Sequence, residues 1–280
     1  MSAARPGGPG GRAGPDVAVV IPHYNHAAYL GEAVASALAQ DTGPPRVVVV
    51  DDGSTDPAAE AALATLPAGV EVIRKAHGGQ ASARNAGARA TSEPLLLFLD
   101  ADDHLPPDAL GRLRNALAAD EDAAYAYGSM RYFGAWSGEV PFPDFDPYRL
   151  LYRSIVGWLG LVRREAFEQA GGFDEHLEGF EDWDLMLALL DCGWGAVRID
   201  GVVLEYRKHQ TSSLEDHRSR YRRLYRNLRR RHADLYGRAP ELAAASDLSA
   251  AGRLAYRTWW AWRPLPARWE RALYSLRFRG

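Results

Sequence analysis

The stretch Leu95–Asp103 places the strongest constraint on the fold, because five apolar residues are followed at once by a cluster of carboxylates. The uninterrupted apolar run predicts a strand buried on both faces, as in the middle of a parallel sheet covered by helices. Asp100, Asp102 and Asp103 then stand at the carboxyl end of that strand, where open α/β sheets bind ligands. Carboxylates this close repel one another unless a cation lies between them, and Mg²⁺ or Mn²⁺ prefers oxygen ligands. We therefore expect a divalent metal completed by water and substrate phosphates, with a polar turn that caps a helix as the alternative.

The residues before this stretch alternate between predicted strands and predicted helices. The helices are indicated by apolar residues at four-residue spacing, and Asp56-Pro57 supplies a cap and a first helical residue. This alternation predicts right-handed crossovers and a mostly parallel, doubly wound α/β sheet with helices on both faces. The predicted strands are Val17–Ile21 (ended by Pro22), Val47–Val50, Val70–Ile73 and Leu95–Leu99, and the predicted helices surround Leu30–Leu38, Asp56–Leu66 and Ser82–Ala90.

The pattern is looser beyond Pro107, although helices and strands still alternate. The predicted elements are a helix around Leu110–Leu117, strands at Tyr125–Phe133, Leu159–Val162 and Val202–Leu204, and helices at Arg164–Ala170 and Glu181–Cys192. We expect four segments, which are a disordered tail (1–15), a first α/β half (16–105), a second half (106–215) and a basic aromatic helical extension (216–280).

The composition indicates in which cellular compartment we expect the protein. One cysteine, Cys192, excludes an internal disulfide and favours a reducing compartment. No apolar run approaches the roughly 18 residues of a membrane span, and residues 1–15 lack the apolar centre of a signal peptide. We expect a cytoplasmic protein, with a peripheral position on the inner face of the membrane left open.

The C-terminal extension (residues 216–280) is rich in arginine and tryptophan. Such a segment suits an anionic membrane surface, a single-stranded nucleic acid, or packing of the aromatic rings on the rest of the protein. The net charge of −3 argues against nucleic acid as a specific partner. On this basis a chain without Arg218–Gly280 is expected to associate less with anionic vesicles.

Six motifs give the chain a family resemblance. In order they are Val-Val-Ile-Pro-His-Tyr-Asn (19–25), Val-Asp-Asp-Gly-Ser-Thr-Asp (50–56), Gly-Gly-Gln-Ala-Ser-Ala-Arg-Asn-Ala-Gly (78–87), Phe-Leu-Asp-Ala-Asp-Asp (98–103), Gly-Gly-Phe-Asp-Glu (171–175) and Glu-Asp-Trp-Asp-Leu (181–185). Together they resemble the family 2 glycosyltransferases, which are inverting enzymes of the GT-A fold. The chain departs from the common pattern at Met186–Leu190, where such proteins often carry an arginine.

The resemblance implies a role for each matching residue. Tyr24 would stack on the nucleobase and Asp52 would accept a hydrogen bond from it. Asp102 would be the principal metal ligand, with His209 as a second ligand or a diphosphate contact, and Asp182 would be the general base. The other implied site residues are Pro22, Asn25, Arg84 and Asp100 at the nucleotide, with Asp103, Glu181 and Arg207 as further candidates.

The resemblance implies a transfer that requires Mn²⁺ or Mg²⁺ and moves a sugar from a nucleotide-sugar, most simply a UDP-sugar, to an acceptor hydroxyl. Residues 16–105 would form the nucleotide-sugar-binding half and residues 106–215 the acceptor-binding half. The acceptor is left open among glycans, lipid-linked molecules, peptides and small molecules. Two other classes also stay open. A sugar nucleotidyltransferase would carry a glycine-rich basic loop after the first strand, where Pro22–Asn25 stands instead. A non-catalytic nucleotide-binding scaffold would have no need for so many carboxylates around one pocket.

Overall fold

The computed structural model describes residues 16–156, 160–209 and 214–262. Their strands form one eight-stranded sheet in the order β3-β2-β1-β4-β7-β5-β6, with β8 paired to β5. This confirms the predicted α/β sheet. The strands are β1 (Val17–His23), β2 (Arg46–Asp51), β3 (Glu71–Arg74), β4 (Leu95–Phe98), β5 (Ala123–Gly134), β6 (Gly138–Val140), β7 (Leu161–Arg163) and β8 (Gly195–Lys208).

The first four strands are parallel, and their order reverses between β1 and β4. Helices that leave two such neighbouring strands in opposite directions open a crevice at their carboxyl ends, which is the usual ligand site of this architecture. The residues after β1 and those after β4 therefore lie side by side.

The second half of the chain extends the same sheet. Strand β7 runs antiparallel to both β4 and β5, whereas β8 pairs with β5 in parallel. At 14 residues, β8 is much longer than the predicted Val202–Leu204. Its earlier part includes polar residues and is only partly buried, so it lacks the apolar run on which the prediction depended.

The helices cover both faces of this sheet. Asp56 caps α2 by accepting a hydrogen bond from the Ala58 amide at 2.8 Å, as predicted, although the helix ends at Ala64. The described helices are α1 (Ala27–Leu38), α2 (Pro57–Ala64), α3 (Gln80–Ala90), α4 (Ala109–Ala119), α5 (Pro147–Leu150), α6 (Arg164–Gln169), α7 (Glu181–Asp191), α8 (Leu214–Arg231), α9 (Ala233–Gly237), α10 (Ala239–Ala245), α11 (Ala250–Ala255) and a π-helical turn (Tyr256–Trp260).

Helix α3 lies unusually close to the sheet because of one glycine. A Cβ atom on Gly87 would stand 2.3 Å from the Val20 side chain and 3.1 Å from that of Val50. The close approach carries Arg84, one turn earlier on α3, to a position beside the strand ends.

The prediction that Pro22 ends the first strand is wrong, because β1 continues to His23 and Pro22 pairs with Val50 of β2. On the other side, β4 pairs with β1 only as far as Val20. The missing amide hydrogen of proline therefore disrupts no pairing with β4.

The described part of the C-terminal extension packs on the sheet's helical layer. Its apolar side chains join the core that contains α7. Of the three alternatives considered for the extension, this arrangement corresponds to packing of its aromatic rings on the rest of the protein. The expected disordered tail at 1–15 and the last part of the extension, 263–280, lie outside the described residues. Among the helices of residues 16–262 that are described, none is long and apolar enough to span a membrane. The buried apolar residues of the described extension are Tyr221, Leu224, Tyr225, Leu228, Leu235 and Ala261.

Candidate active site

Asp52 follows β2 and organises the loop after β3. Its side chain is almost completely buried, and it accepts hydrogen bonds from Lys75 Nζ at 2.6 Å and from the amides of Gly79 and Gly78 at 2.7 and 3.0 Å. His77 Nδ1 also lies 2.9 Å from its carboxylate. Lys75 and His77 are not among the predicted site residues, since neither belongs to a motif.

Tyr24 lies at the mouth of the crevice with 40% of its surface exposed. Its ring packs on His77, with the centroids 4.3 Å apart. Next to it, Asn25 adopts a positive φ of 55°, and its side-chain oxygen accepts hydrogen bonds from the amides of Thr55 (2.9 Å) and Asp56 (3.0 Å). Asn25 thus fastens the loop after β1 to the loop after β2, whereas Pro22 is buried within β1.

Arg84 connects the two halves of the site. This buried side chain, 2% exposed, donates to Asp100 Oδ1 at 2.8 Å and to Asp182 Oδ1 at 2.9 Å. Its guanidinium also lies over the Phe173 ring, 5.2 Å from the centroid. Gln80 Nε2 is a second donor to Asp100, at 2.7 Å. The family motif indicates that Arg84 is near the nucleotide, but the bridge to Asp182 has no signal in the sequence.

Asp182 is the second residue of α7 and is partly buried. Burial raises its pKa to about 7, and the negative charges of Glu181 and Asp100 act in the same direction, against the lowering effect of Arg84. A carboxylate with a pKa near 7 can accept a proton at neutral pH.

A cavity of about 610 Å³ lies beside Asp182. The Gly78–Ala81 turn forms one wall, the Leu177–Trp183 segment another, and Tyr221 of α8 completes it. Glu181 also lines this cavity and makes no hydrogen bond or ion pair with other described residues. The cavity is large enough to admit a small ligand next to the candidate base.

Asp102 and His209 meet after β4 and β8. The His209 Nε2 atom lies 2.8 Å from Asp102 Oδ2. Within the described ranges, no group of three or more histidine, cysteine or acidic side chains could hold a metal ion. The protein thus brings together two of the predicted metal ligands without enclosing a full coordination shell.

Asp103 points into the protein rather than into the crevice. It is fully buried, its Oδ1 accepts a hydrogen bond from the Arg207 amide at 2.9 Å, and its Oδ2 has no partner among the described residues. Burial and the nearby charge of Asp100 raise the pKa of Asp103 to about 9. An enclosed carboxyl that binds the backbone of β8 favours a structural role.

Arg207 is held away from solvent between two aromatic rings. Its guanidinium carbon lies 4.4 Å from the Tyr29 centroid and 4.5 Å from the Phe133 centroid. Its Nε donates to the Asp102 carbonyl at 2.9 Å, and its terminal nitrogen pairs with Glu32. Arg207 therefore fixes the backbone of the loop that carries Asp102.

The family model named "Glycosyl transferase family 2" matches residues 18–169. Over 185 residues the chain is 30% identical to chondroitin synthase of Pasteurella multocida. The matched region spans 64% of this chain but only 19% of that protein's length. The fold resembles a mannosyltransferase from Pyrobaculum calidifontis in complex with GDP-Man and Mn²⁺ (TM-score 0.59, 22% identity, 90% of this chain and 85% of the other). It also resembles residues 1–349 of S. aureus TarS in complex with UDP-GlcNAc (TM-score 0.59, 20% identity, covering 86% of this chain and 70% of the other). These matches confirm the GT-A fold, and the chain belongs to glycosyl transferase family 2.

Proposed function

We propose that this glycosyltransferase is an inverting, metal-dependent enzyme that uses a nucleotide-sugar, most simply a UDP-sugar. The observation that carries the proposal is the bridge from Asp100 through Arg84 to Asp182. It joins the carboxyl end of β4, where a donor is expected, to the start of α7, where a base is expected. Family membership favours glycosyl transfer over the nucleotidyltransferase and scaffold alternatives.

The nucleotide would lie across the carboxyl ends of β1, β2 and β4. The exposed face of Tyr24 would stack on the nucleobase, and the loop closed by Asp52 would border it. UDP-GlcNAc and GDP-Man occur in complexes of the two structural neighbours, which supports a nucleotide-sugar as the class of donor.

The residues present fit a divalent metal with few protein ligands. Asp102 offers a carboxylate oxygen and His209 a ring nitrogen at the same point, and Mn²⁺ accepts both ligand types. When bound, Mn²⁺ or Mg²⁺ would supply positive charge to the leaving diphosphate. Asp102 and His209 would hold that ion, and Arg207 would keep the Asp102 backbone in place.

Asp182 would remove the proton of the acceptor hydroxyl. As the acceptor oxygen forms its bond to the anomeric carbon, the bond from that carbon to the diphosphate breaks, and the hydroxyl proton passes to the Asp182 carboxylate. A single displacement of this kind inverts the anomeric configuration, because retention by double displacement needs a nucleophile as well. Arg84 would orient the carboxylate, and the cavity beside it would receive the acceptor.

The acceptor class is proposed as a hydroxyl-bearing glycan, lipid-linked molecule, peptide or small molecule. The extension also offers a surface for an anionic membrane, since Trp259 is 44% exposed and Leu254 59% exposed beside Arg253 and Arg257. In this scheme residues 16–105 form the donor half and residues 106–215 the acceptor half.

The function is tested by incubating the protein with Mn²⁺ and a panel of nucleotide-sugars and measuring nucleotide release with and without extracted acceptors. We expect release from one donor, dependent on the metal, and an inverted product configuration by NMR. Release without metal would refute the metal role, and a product that retains the donor's configuration would refute the single displacement. Absence of release with every donor would refute the proposed activity.

A further inference from the structure

Helix α7, which carries Asp182, is held by a helix that lies far outside the matched family region. The family model ends at residue 169, whereas α7 begins at Glu181 and α8 ends at Arg231. The indole ring of Trp183, next to Asp182 in the chain, stacks on the completely buried Tyr225 of α8 at 5.5 Å with a 20° angle between planes. The first turn of α7 thus packs against α8.

The residue that precedes α7 is strained and is held by α8. Phe180 has φ 68° and ψ 20°, the left-handed region that a bulky L-residue rarely adopts. Such a conformation persists only where its surroundings impose it. The Phe180 ring contacts Trp183 at 5.4 Å and Tyr221 of α8 at 5.2 Å. Tyr221 therefore helps to set the direction in which the chain enters the helix.

Ion pairs to the buried carboxylate of Asp184 make a second connection. In the structure Asp184 is 1% exposed, and its Oδ1 lies 2.9 Å from Arg231 Nε and 2.8 Å from His232 Nε2. Arg231 also pairs with Asp174 at 2.6 Å. A buried carboxylate requires such partners, so α7 depends on the C-terminal extension for its charge balance.

We propose that the extension positions Asp182, with Arg231 as the principal positioning residue. This inference rests on the proposed function, because it assigns the extension to the transfer step. The described contacts of Asp52 and Asp102 are with other parts of the chain. The extension therefore controls turnover and leaves donor binding unaffected.

The test compares Arg231→Gln with Arg226→Gln. Arg226 lies on the same helix, is exposed, and makes no ion pair or hydrogen bond with the described residues, so the second variant matches the charge change without the contact. We expect Arg231→Gln to lower kcat by about tenfold or more, since a displacement of about 1 Å can cost about a hundredfold in rate. The Kd for UDP with Mn²⁺ stays the same in both variants. Arg231→Lys, which keeps the charge, restores part of the lost kcat.

Hydrogen exchange of the amides at 181–185 gives a readout independent of activity. We expect this segment to exchange about tenfold faster in Arg231→Gln than in the parent, with no change in Arg226→Gln. Unchanged exchange, or a kcat as high as that of the parent, would overturn the inference, and so would an equal loss of UDP affinity. If the parent released no nucleotide from any donor, the proposed function would fail, and the exchange result would still decide whether Arg231 holds α7.

Discussion

The pH dependence of turnover should report on Asp182. Burial, with Glu181 and Asp100 nearby, raises its pKa from 3.8 to about 7. A general base acts only when it is deprotonated, so a raised pKa moves the loss of activity to higher pH. The proposed mechanism thus predicts a kcat/KM, the constant that reports on the free enzyme, that is constant above about pH 8 and falls by about tenfold for each unit below about pH 7. An ordinary aspartate would keep kcat/KM constant down to about pH 5.

The matched variants are Asp182→Asn and Glu181→Gln, assayed for kcat, kcat/KM and donor affinity from pH 5 to pH 9. Asp182→Asn should lower kcat by about 10²–10⁴-fold and remove the acidic fall, because the amide accepts no proton. Glu181→Gln keeps the base, and the loss of its negative charge should shift the fall slightly to lower pH. Donor affinity should be nearly constant, since the described contacts of Asp52 and Asp102 do not include Asp182. A parent whose kcat/KM stays constant down to pH 5, or an Asp182→Asn variant as fast as the parent, would refute the assignment.

Three further predictions concern the metal, the core and the membrane. Asp102→Asn should abolish the stimulation of UDP binding by Mn²⁺ while leaving the melting temperature within a few degrees of the parent, as calorimetry can show; undiminished stimulation would place the metal elsewhere. Burial lowers the pKa of His23 below 6.5, despite the opposing charge of Asp51, so the unfolded chain binds the proton more readily and the free energy of unfolding decreases as the pH falls below 6.5. His23→Val should reduce the difference between the free energies of unfolding measured in urea at pH 7 and at pH 5, and the same difference in variant and parent would exclude His23 as its source. Trp259→Ser should lower co-sedimentation with anionic vesicles at low salt, and equal sedimentation of variant and parent would refute the proposed membrane contact. A point variant is used because deletion of the whole extension would expose the core around Tyr225.

The donor side of the site could be predicted because its signals are local. Each predicted strand there is a short apolar run, and each is followed within three residues by a polar residue that the structure places at the crevice, as at Tyr24, Asp52 and Asp100. In a parallel sheet, the position of a residue along its own strand determines the edge at which it lies. The arrangement of the crevice therefore follows from the sequence without knowledge of distant contacts.

The acceptor side could not be predicted in the same way. The contacts of Arg84 with Asp182 and of Trp183 with Tyr225 join residues far apart in the chain, and no periodicity indicates which partner is chosen. Arginine and aromatic residues at helical spacing suit a membrane, a nucleic acid or a protein core equally well. Only the fold distinguishes among them, and it places Tyr225 in the core.

The clamp of Arg207 on the loop after β4 has a consequence for how the protein unfolds. Arg207 belongs to β8, yet it binds the Asp102 carbonyl, and the backbone of neighbouring Glu205 pairs with His104 in both directions at 2.9 Å. The last strand in the chain, β8, thus holds the backbone of the loop after β4, which lies about a hundred residues earlier in the sequence. We expect the two halves to unfold in one cooperative transition. A fragment that ends at residue 105 would lack both β7, which pairs with β4, and the support that Arg207 gives to the Asp102 loop.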